Sequence, residues 1–308
     1  MRTGRASALT DTGRRRPQNE DTFVCDPPLF AVADGVGGAQ AGEIASRLAA
    51  TALEERAPAA LGEEALAGLL QEANARIYGH ALADPSAAGM GTVATVLLVD
   101  EAAGTVAIGH VGDSRAYRLR NGVLEQLTPD HSLVGELVRA GRLSTEEAEQ
   151  HPHRSVITRA IGTEPFVEVE TLTDVAEPGD LYLICSDGLT DMVRDAQIAE
   201  LIEAAENDPD PAAEALVAAA NSAGGIDNIT VVLFEIVAGE PTPIPEPSVT
   251  VEPDEDTKEQ VLEDVPPVVP DVPVQRHGAG PGGRWLALGA ILLTIAVAAL
   301  LVWWSLTR

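Results

Sequence analysis

Five stretches of the chain place acidic residues where they are expensive. Residues 29–33 form an apolar run of the kind that makes a buried strand, and the run ends in Asp34-Gly35. Residues 181–185 end the same way, in Ser186-Asp187-Gly188. Asp227 stands just before the apolar stretch 229–234, Asp113 follows the run 106–111, and Glu20-Asp21 opens Thr22-Phe23-Val24. A carboxylate at the lip of a core strand loses hydration and needs a compensating charge. Any one of them alone reads as a turn or capping residue. Two that share a strand-Asp-Gly layout, among several of the same kind, point to a common positive partner. Arg16 and Arg115 lie near some of these sites, but they are too few for the whole set. A divalent cation is the better candidate. The donors are oxygens, with no cysteine among them and no neighbouring histidine pair, which suits Mn²⁺ or Mg²⁺ and disfavours zinc. The glycine after each aspartate lets the chain turn sharply and bring a backbone carbonyl to the same ion.

The elements that must position these groups are legible up to about residue 238. Apolar β-type runs at 29–33, 93–99, 106–111, 181–185 and 229–237 are interspersed with helical patterns. The helical spacing predicts helices over 41–56, 63–83, 196–205 and around 212–220. Asn121-Gly122, between 117–119 and 123–127, predicts a hairpin turn. Ser144-Thr145-Glu146-Glu147 is a capping box that opens a short helix. Cys25 and Cys185 sit beside or within apolar runs and read as two reduced thiols.

Composition sets the wider frame. Aromatic residues make up 3% of the 308, so Ala, Val, Leu and Ile must build the core. A net charge of −28 leaves no basic face for nucleic acid. Residues 239–283 are dominated by proline and acidic side chains without helical or strand period, which predicts an extended, self-repelling linker. Residues 285–304 carry no charge, and all three tryptophans lie at the ends of that run. At about 1.5 Å per residue it spans roughly 30 Å, the hydrocarbon thickness of a bilayer. The expected organisation is a catalytic body at 1–238, a disordered linker at 239–283, a transmembrane helix at 284–305 and a short extracytoplasmic tail at 306–308. Arg276 and Arg284 before the span, against Arg308 after it, place the body in the cytoplasm of a single-pass cell-membrane protein.

Taken in order, the motifs are Thr10-Asp11-Thr12-Gly13, then Arg16 with Asn19-Glu20-Asp21, and Ala33-Asp34-Gly35-Val36-Gly37-Gly38. Gly89-Met90-Gly91-Thr92, His110-Val111-Gly112-Asp113-Ser114-Arg115, Cys185-Ser186-Asp187-Gly188-Leu189 and Asp227-Asn228-Ile229-Thr230 follow. Each is weak alone. The ordered set resembles the protein phosphatase type 2C family in its bacterial form, and most closely the membrane-anchored members that oppose serine/threonine kinases. The resemblance runs from about Ser7 to Val237. It implies an α+β fold: two antiparallel β-sheets packed face to face and flanked by helices on both outer faces, an α-β-β-α sandwich.

It also implies an activity and a site. The expected enzyme is a metal-dependent phosphoprotein phosphatase acting on phosphoserine and phosphothreonine, with metal-activated water attacking phosphorus. By the resemblance Asp34 bridges two metals, Asp187 and Asp227 complete the first site, and the Gly35 carbonyl serves the second. Glu20 and Asp21 would hold metal-bound waters, and Asp113, Asp187 and Ser155 a third ion. Arg16 would grip the substrate phosphate, which a guanidinium does bidentately. The family's eukaryotic members carry a histidine where Val36 stands, so the general acid is unassigned. His131, His151 and His153 read as surface or packing residues, His110 as a satisfied strand histidine and His80 as helix surface. The expected partners are phosphorylated proteins, kinases among them, met by a monomer. The alternative is an inactive relative that binds phosphoproteins. It would have lost a metal aspartate or the arginine, and none is missing.

Overall fold

The computed structural model describes residues 1–36, 41–55 and 61–239. The chain divides into two units, Met1–Glu246 and Pro247–Arg308, and the described residues belong to the first. The expected linker and transmembrane helix therefore lie outside the described residues. Among the described residues no helix is long and apolar enough to cross a membrane.

Among the described residues, ten strands and seven α-helices follow in the order β1 (Arg2–Asp11), β2 (Asp21–Asp26), β3 (Leu29–Val36), α1 (Ala41–Glu55), α2 (Glu63–Ala83), β4 (Gly91–Asp100) and β5 (Thr105–Val111). Then come β6 (Arg115–Arg120), β7 (Val123–Gln126), α3 (Leu133–Arg139), α4 (Thr145–Glu149), β8 (Glu170–Val175) and β9 (Leu181–Cys185). The last are α5 (Asp187–Thr190), α6 (Asp195–Ala204), α7 (Pro209–Ala223) and β10 (Ile229–Val237). One sheet runs β1-β10-β9-β6-β7 and the other β2-β3-β4-β5-β8, with every pairing antiparallel. This is the expected sandwich.

Three apolar layers follow from the two-residue period of the strands. In β9, Leu181, Leu183 and Cys185 turn outward to a core shared with α6 and α7. Tyr182 and Ile184 turn inward, to the layer between the sheets. β3 divides likewise: Ala31 and Ala33 face α1 and α2, and Phe30 and Val32 face the other sheet. Central strands are covered on both faces, so they read as unbroken apolar runs rather than alternating ones. The edge strands β1 and β8 carry polar residues on their exposed positions, and the sequence pattern did not reveal them. Nor did it reveal the short helices α3 and α5.

Three aromatic residues stack between the sheets. Phe30 stacks on Phe234 with ring centroids 4.0 Å apart, and Tyr182 flanks Phe234 at 5.1 Å. The capping box at Ser144 forms with both of its hydrogen bonds, and Cys25 and Cys185 are free thiols. Phe234 is fully buried, so Phe234→Ala should cost about 3–5 kcal/mol of unfolding free energy. Urea denaturation measures this, and a loss below about 1 kcal/mol would mean that the inter-sheet layer repacks around the gap.

Candidate active site

One rim of the sandwich collects the acidic residues because several strands begin or end there. Asp21 at the start of β2 faces Asp34 near the end of β3 across the ladder. Asp187 begins α5 directly after β9, and Asp227 precedes β10. Asp113 follows the end of β5, whose Val111 pairs with Ala94 of β4. Hydrogen bonds join the two sheets at this rim. Asp21 Oδ2 accepts from Ser186 Oγ at 2.8 Å and from Thr230 Oγ1 at 2.7 Å. Within the second sheet, Thr92 Oγ1 of β4 donates to the Asp34 carbonyl of β3 at 2.6 Å.

Crowding sets the electrostatics. Burial pushes the Asp34 carboxyl well above its ordinary range, and Asp21, Asp187, Asp113 and Asp227 push it further. Asp187 is raised by burial and then by Asp113 and Asp227. Burial lifts Asp113 to about 7, with Asp130 adding to the effect. Burial likewise lifts Asp21 to about 6, against hydrogen bonds from Thr230 and Ser186 that lower it. Glu20 is raised by burial despite the nearby Arg16. The predicted acidic residues therefore come close enough to feel one another.

The arrangement fits divalent cations. Asp21 Oδ1 and Asp187 Oδ1 are buried and have no hydrogen-bond partner, which is costly unless a cation or a bound water meets them. A β-carbon at Gly35 would collide with the Gly42 carbonyl and approach that of Glu20. Glycine there brings the start of α1 against the strand. Among the described residues no three acidic, histidine or cysteine side chains converge tightly enough to enclose an ion by themselves. Side chains alone therefore form no closed cage there, and the expected roles of the Gly35 carbonyl, Glu20 and Asp21 would supply further ligands. Ser155 is exposed, on the wall of a cleft of about 1020 Å³ that also contains Asp113 and Asp187.

Arg16 is where the geometry adds most to the expectation. Its Nη2 lies 2.6 Å from Asp227 Oδ2, and its side chain is 51% exposed. One edge of the guanidinium is thus engaged with the acidic rim. A neutral latch positions it: Asn228 Nδ2 donates to the Thr12 and Gln18 carbonyls, at 3.0 and 2.9 Å, and its Oδ1 accepts from the Glu20 amide at 2.8 Å. Gly13 has φ +79°, and a β-carbon there would strike the Asp227 carbonyl.

The buried histidines serve the backbone. Gly112 N–H donates to His131 Nδ1 at 3.1 Å, so the proton sits on Nε2 and is donated to Glu170 at 2.9 Å. His110 donates from Nε2 to the Pro129 carbonyl at 3.1 Å, and burial pulls it down to about 3. His131 holds the turn at Gly112, and His110 ties β5 to Thr95 and Pro129, in keeping with structural roles. His80 lies on the exposed helix surface, and His151 and His153 lie together near the surface.

A family model described as protein phosphatase 2C matches residues 19–219. The chain belongs to the protein phosphatase 2C family. Its relatives include the serine/threonine phosphatase stp of Listeria innocua, 41% identical over 75% of this chain and 95% of that protein. The serine/threonine protein phosphatase PstP of Mycobacterium tuberculosis is 40% identical over 76% of this chain, which spans 45% of PstP. A crystal structure of the PstP catalytic domain in complex with two manganese ions superposes with TM-score 0.69 at 37% identity, covering 76% of this chain and 98% of that one.

Beyond the family motifs, the structure adds Asp191, whose charge raises both Asp113 and Asp187. It lies past α5 rather than at a strand lip, so no spacing marked it. Asp34→Asn and Asp187→Asn should each relieve mutual repulsion. Each should raise the unfolding midpoint in chelator by about 2–4 °C per kcal/mol relieved, while turnover falls below about a tenth of wild type. Calorimetric scans alongside rate measurements check both. A lowered midpoint would show that these carboxylates stabilise the fold without cations.

Proposed function

We infer that this protein is a metal-dependent serine/threonine protein phosphatase that hydrolyses phosphoserine and phosphothreonine in proteins. The observation that carries the reading is the rim of crowded, mutually repelling carboxylates, half-buried apart from the buried Asp21, with an exposed arginine beside it. We assign Asp34, Asp187, Asp227 and the Gly35 carbonyl to two core ions, Mn²⁺ or Mg²⁺, with Glu20 and Asp21 holding their waters. Asp113, Asp187 and Ser155 would hold a third. When bound, such ions supply an activated water and neutralise charge on the phosphoryl oxygens.

The chain's own residues do the rest. Asp34 and Asp187 supply the negative charge that brings cations, and hence an anionic substrate, into an acidic protein. Arg16 keeps one edge on Asp227 and turns its exposed part toward the phosphate. Asn228 holds the Arg16 loop in place. The geometry supplies no cysteine nucleophile: Cys185 is wholly buried in the outer core. An inactive, phosphoprotein-binding relative would have lost one of these aspartates or Arg16, and all are present.

The remaining part of the proposal rests on sequence. The charge-free run 285–304 would anchor the protein in the cell membrane by one helix, with the body in the cytoplasm, where a monomer would oppose serine/threonine kinases. Full-length protein should release phosphate from a phosphothreonine peptide in Mn²⁺ and lose that activity in chelator. Release that ignores chelator, or none at all, overturns the reading. Arg16→Ala should raise KM by about tenfold or more without weakening Mn²⁺ binding, because it removes a cation from an acidic rim. A parallel loss of Mn²⁺ affinity would make Arg16 a structural partner of Asp227 instead.

A further inference from the structure

Arg16 is the last of three consecutive arginines, Arg14-Arg15-Arg16, in a chain with 20 basic and 48 acidic residues. All three are exposed. Their loop is stitched down rather than free. The Asn228 side chain bonds the carbonyls of Thr12 and Gln18 on either side of the triplet. Arg14 N–H donates to the Gly225 carbonyl at 2.6 Å, and Gly13 N–H donates to Asp11 Oδ1 at 2.8 Å. Arg16 is held by Asp227. Arg14 has only a loose pairing with Asp11, at 3.6 Å, on a side chain 59% exposed. Arg15 has no hydrogen bond or ion pair among the described residues.

Beside the phosphate-facing arginine the loop backbone is pinned, Arg15 is unpaired among the described residues and Arg14 is held only loosely by Asp11, which leaves both open to a second anion. We propose that Arg14 and Arg15 form a ledge for a carboxylate or second phosphoryl group within about two residues of the phosphoserine or phosphothreonine being hydrolysed. The inference rests on the phosphatase reading and specifies its substrate class. Arg14 and Arg15 lie in the turn that leads into Arg16, and two residues of extended substrate span about 7 Å. That is inside the screening length of about 8 Å at physiological salt.

The test compares kcat/KM of the full-length protein, in Mn²⁺, on phosphothreonine peptides that differ at one flanking position. The position two residues away carries alanine, aspartate or a second phosphothreonine. The anionic flanks should raise kcat/KM by about three- to tenfold, the scale of one or two exposed charge pairs. The gain should lie in KM and shrink as salt is raised. In Arg14→Ala/Arg15→Ala the ratio should fall to near one, and in Arg14→Lys/Arg15→Lys most of it should remain, since a point charge suffices. A gain for the second phosphothreonine alone would make the ledge phosphoryl-selective and still supports it. A ratio near one in wild type with measurable turnover overturns the ledge alone, as does a ratio that survives in the alanine variant. Absence of turnover on every peptide overturns the phosphatase reading and the ledge together.

Discussion

Mutual repulsion among crowded, mostly half-buried carboxylates is the constraint on which the rest of this structure depends. Two like charges about 4 Å apart in protein surroundings repel by about 4 kcal/mol. A whole domain is stable by only about 5–15 kcal/mol. Asp34 feels Asp21, Asp187, Asp113 and Asp227 together, so the rim cannot hold all of them ionised and uncompensated. Either they take up protons or they take up cations. The unpartnered oxygens of Asp21 and Asp187 are open to the second route. Function and instability share one origin.

Such a rim needs a frame that will not relax. Three apolar layers provide it, and the hydrogen bonds of Ser186 and Thr230 to Asp21 tie the lips of the two sheets together. Around this rigid centre the neutral residues do the positioning. Asn228 fixes the arginine loop, and His131 grips Gly112 through both the backbone and the ring. Asn228 and His131 are outside the acidic set, whereas Asp21 belongs to it and also accepts the bonds that tie the sheets.

Much of this was legible in the sequence, for identifiable reasons. Strands covered on both faces, such as β4 and β10, appear as unbroken apolar runs, and the aspartates stand out at their ends. β1 and β8 lie at sheet edges, where polar residues interrupt the pattern. The pairing of Arg16 with Asp227 joins residues 211 positions apart, and no local spacing encodes it. Asn228 was visible as part of a motif, but its work is neutral hydrogen bonding to carbonyls, which leaves no periodic signal. Asp191 escaped because it closes a short helix, where aspartate is ordinary.

The central claim is that the acidic rim is completed by divalent cations. It is tested most directly by the unfolding midpoint of the wild-type protein as Mn²⁺ is titrated into chelator-treated samples at neutral pH. Ligand linkage predicts a midpoint that climbs steadily with the logarithm of Mn²⁺ concentration. The gain should be about 2.7 kcal/mol of stability at a hundredfold excess over Kd for each independent site. A midpoint indifferent to Mn²⁺ and to Mg²⁺ would contradict the account, since the crowded carboxylates would then be stable without the cations they are argued to need.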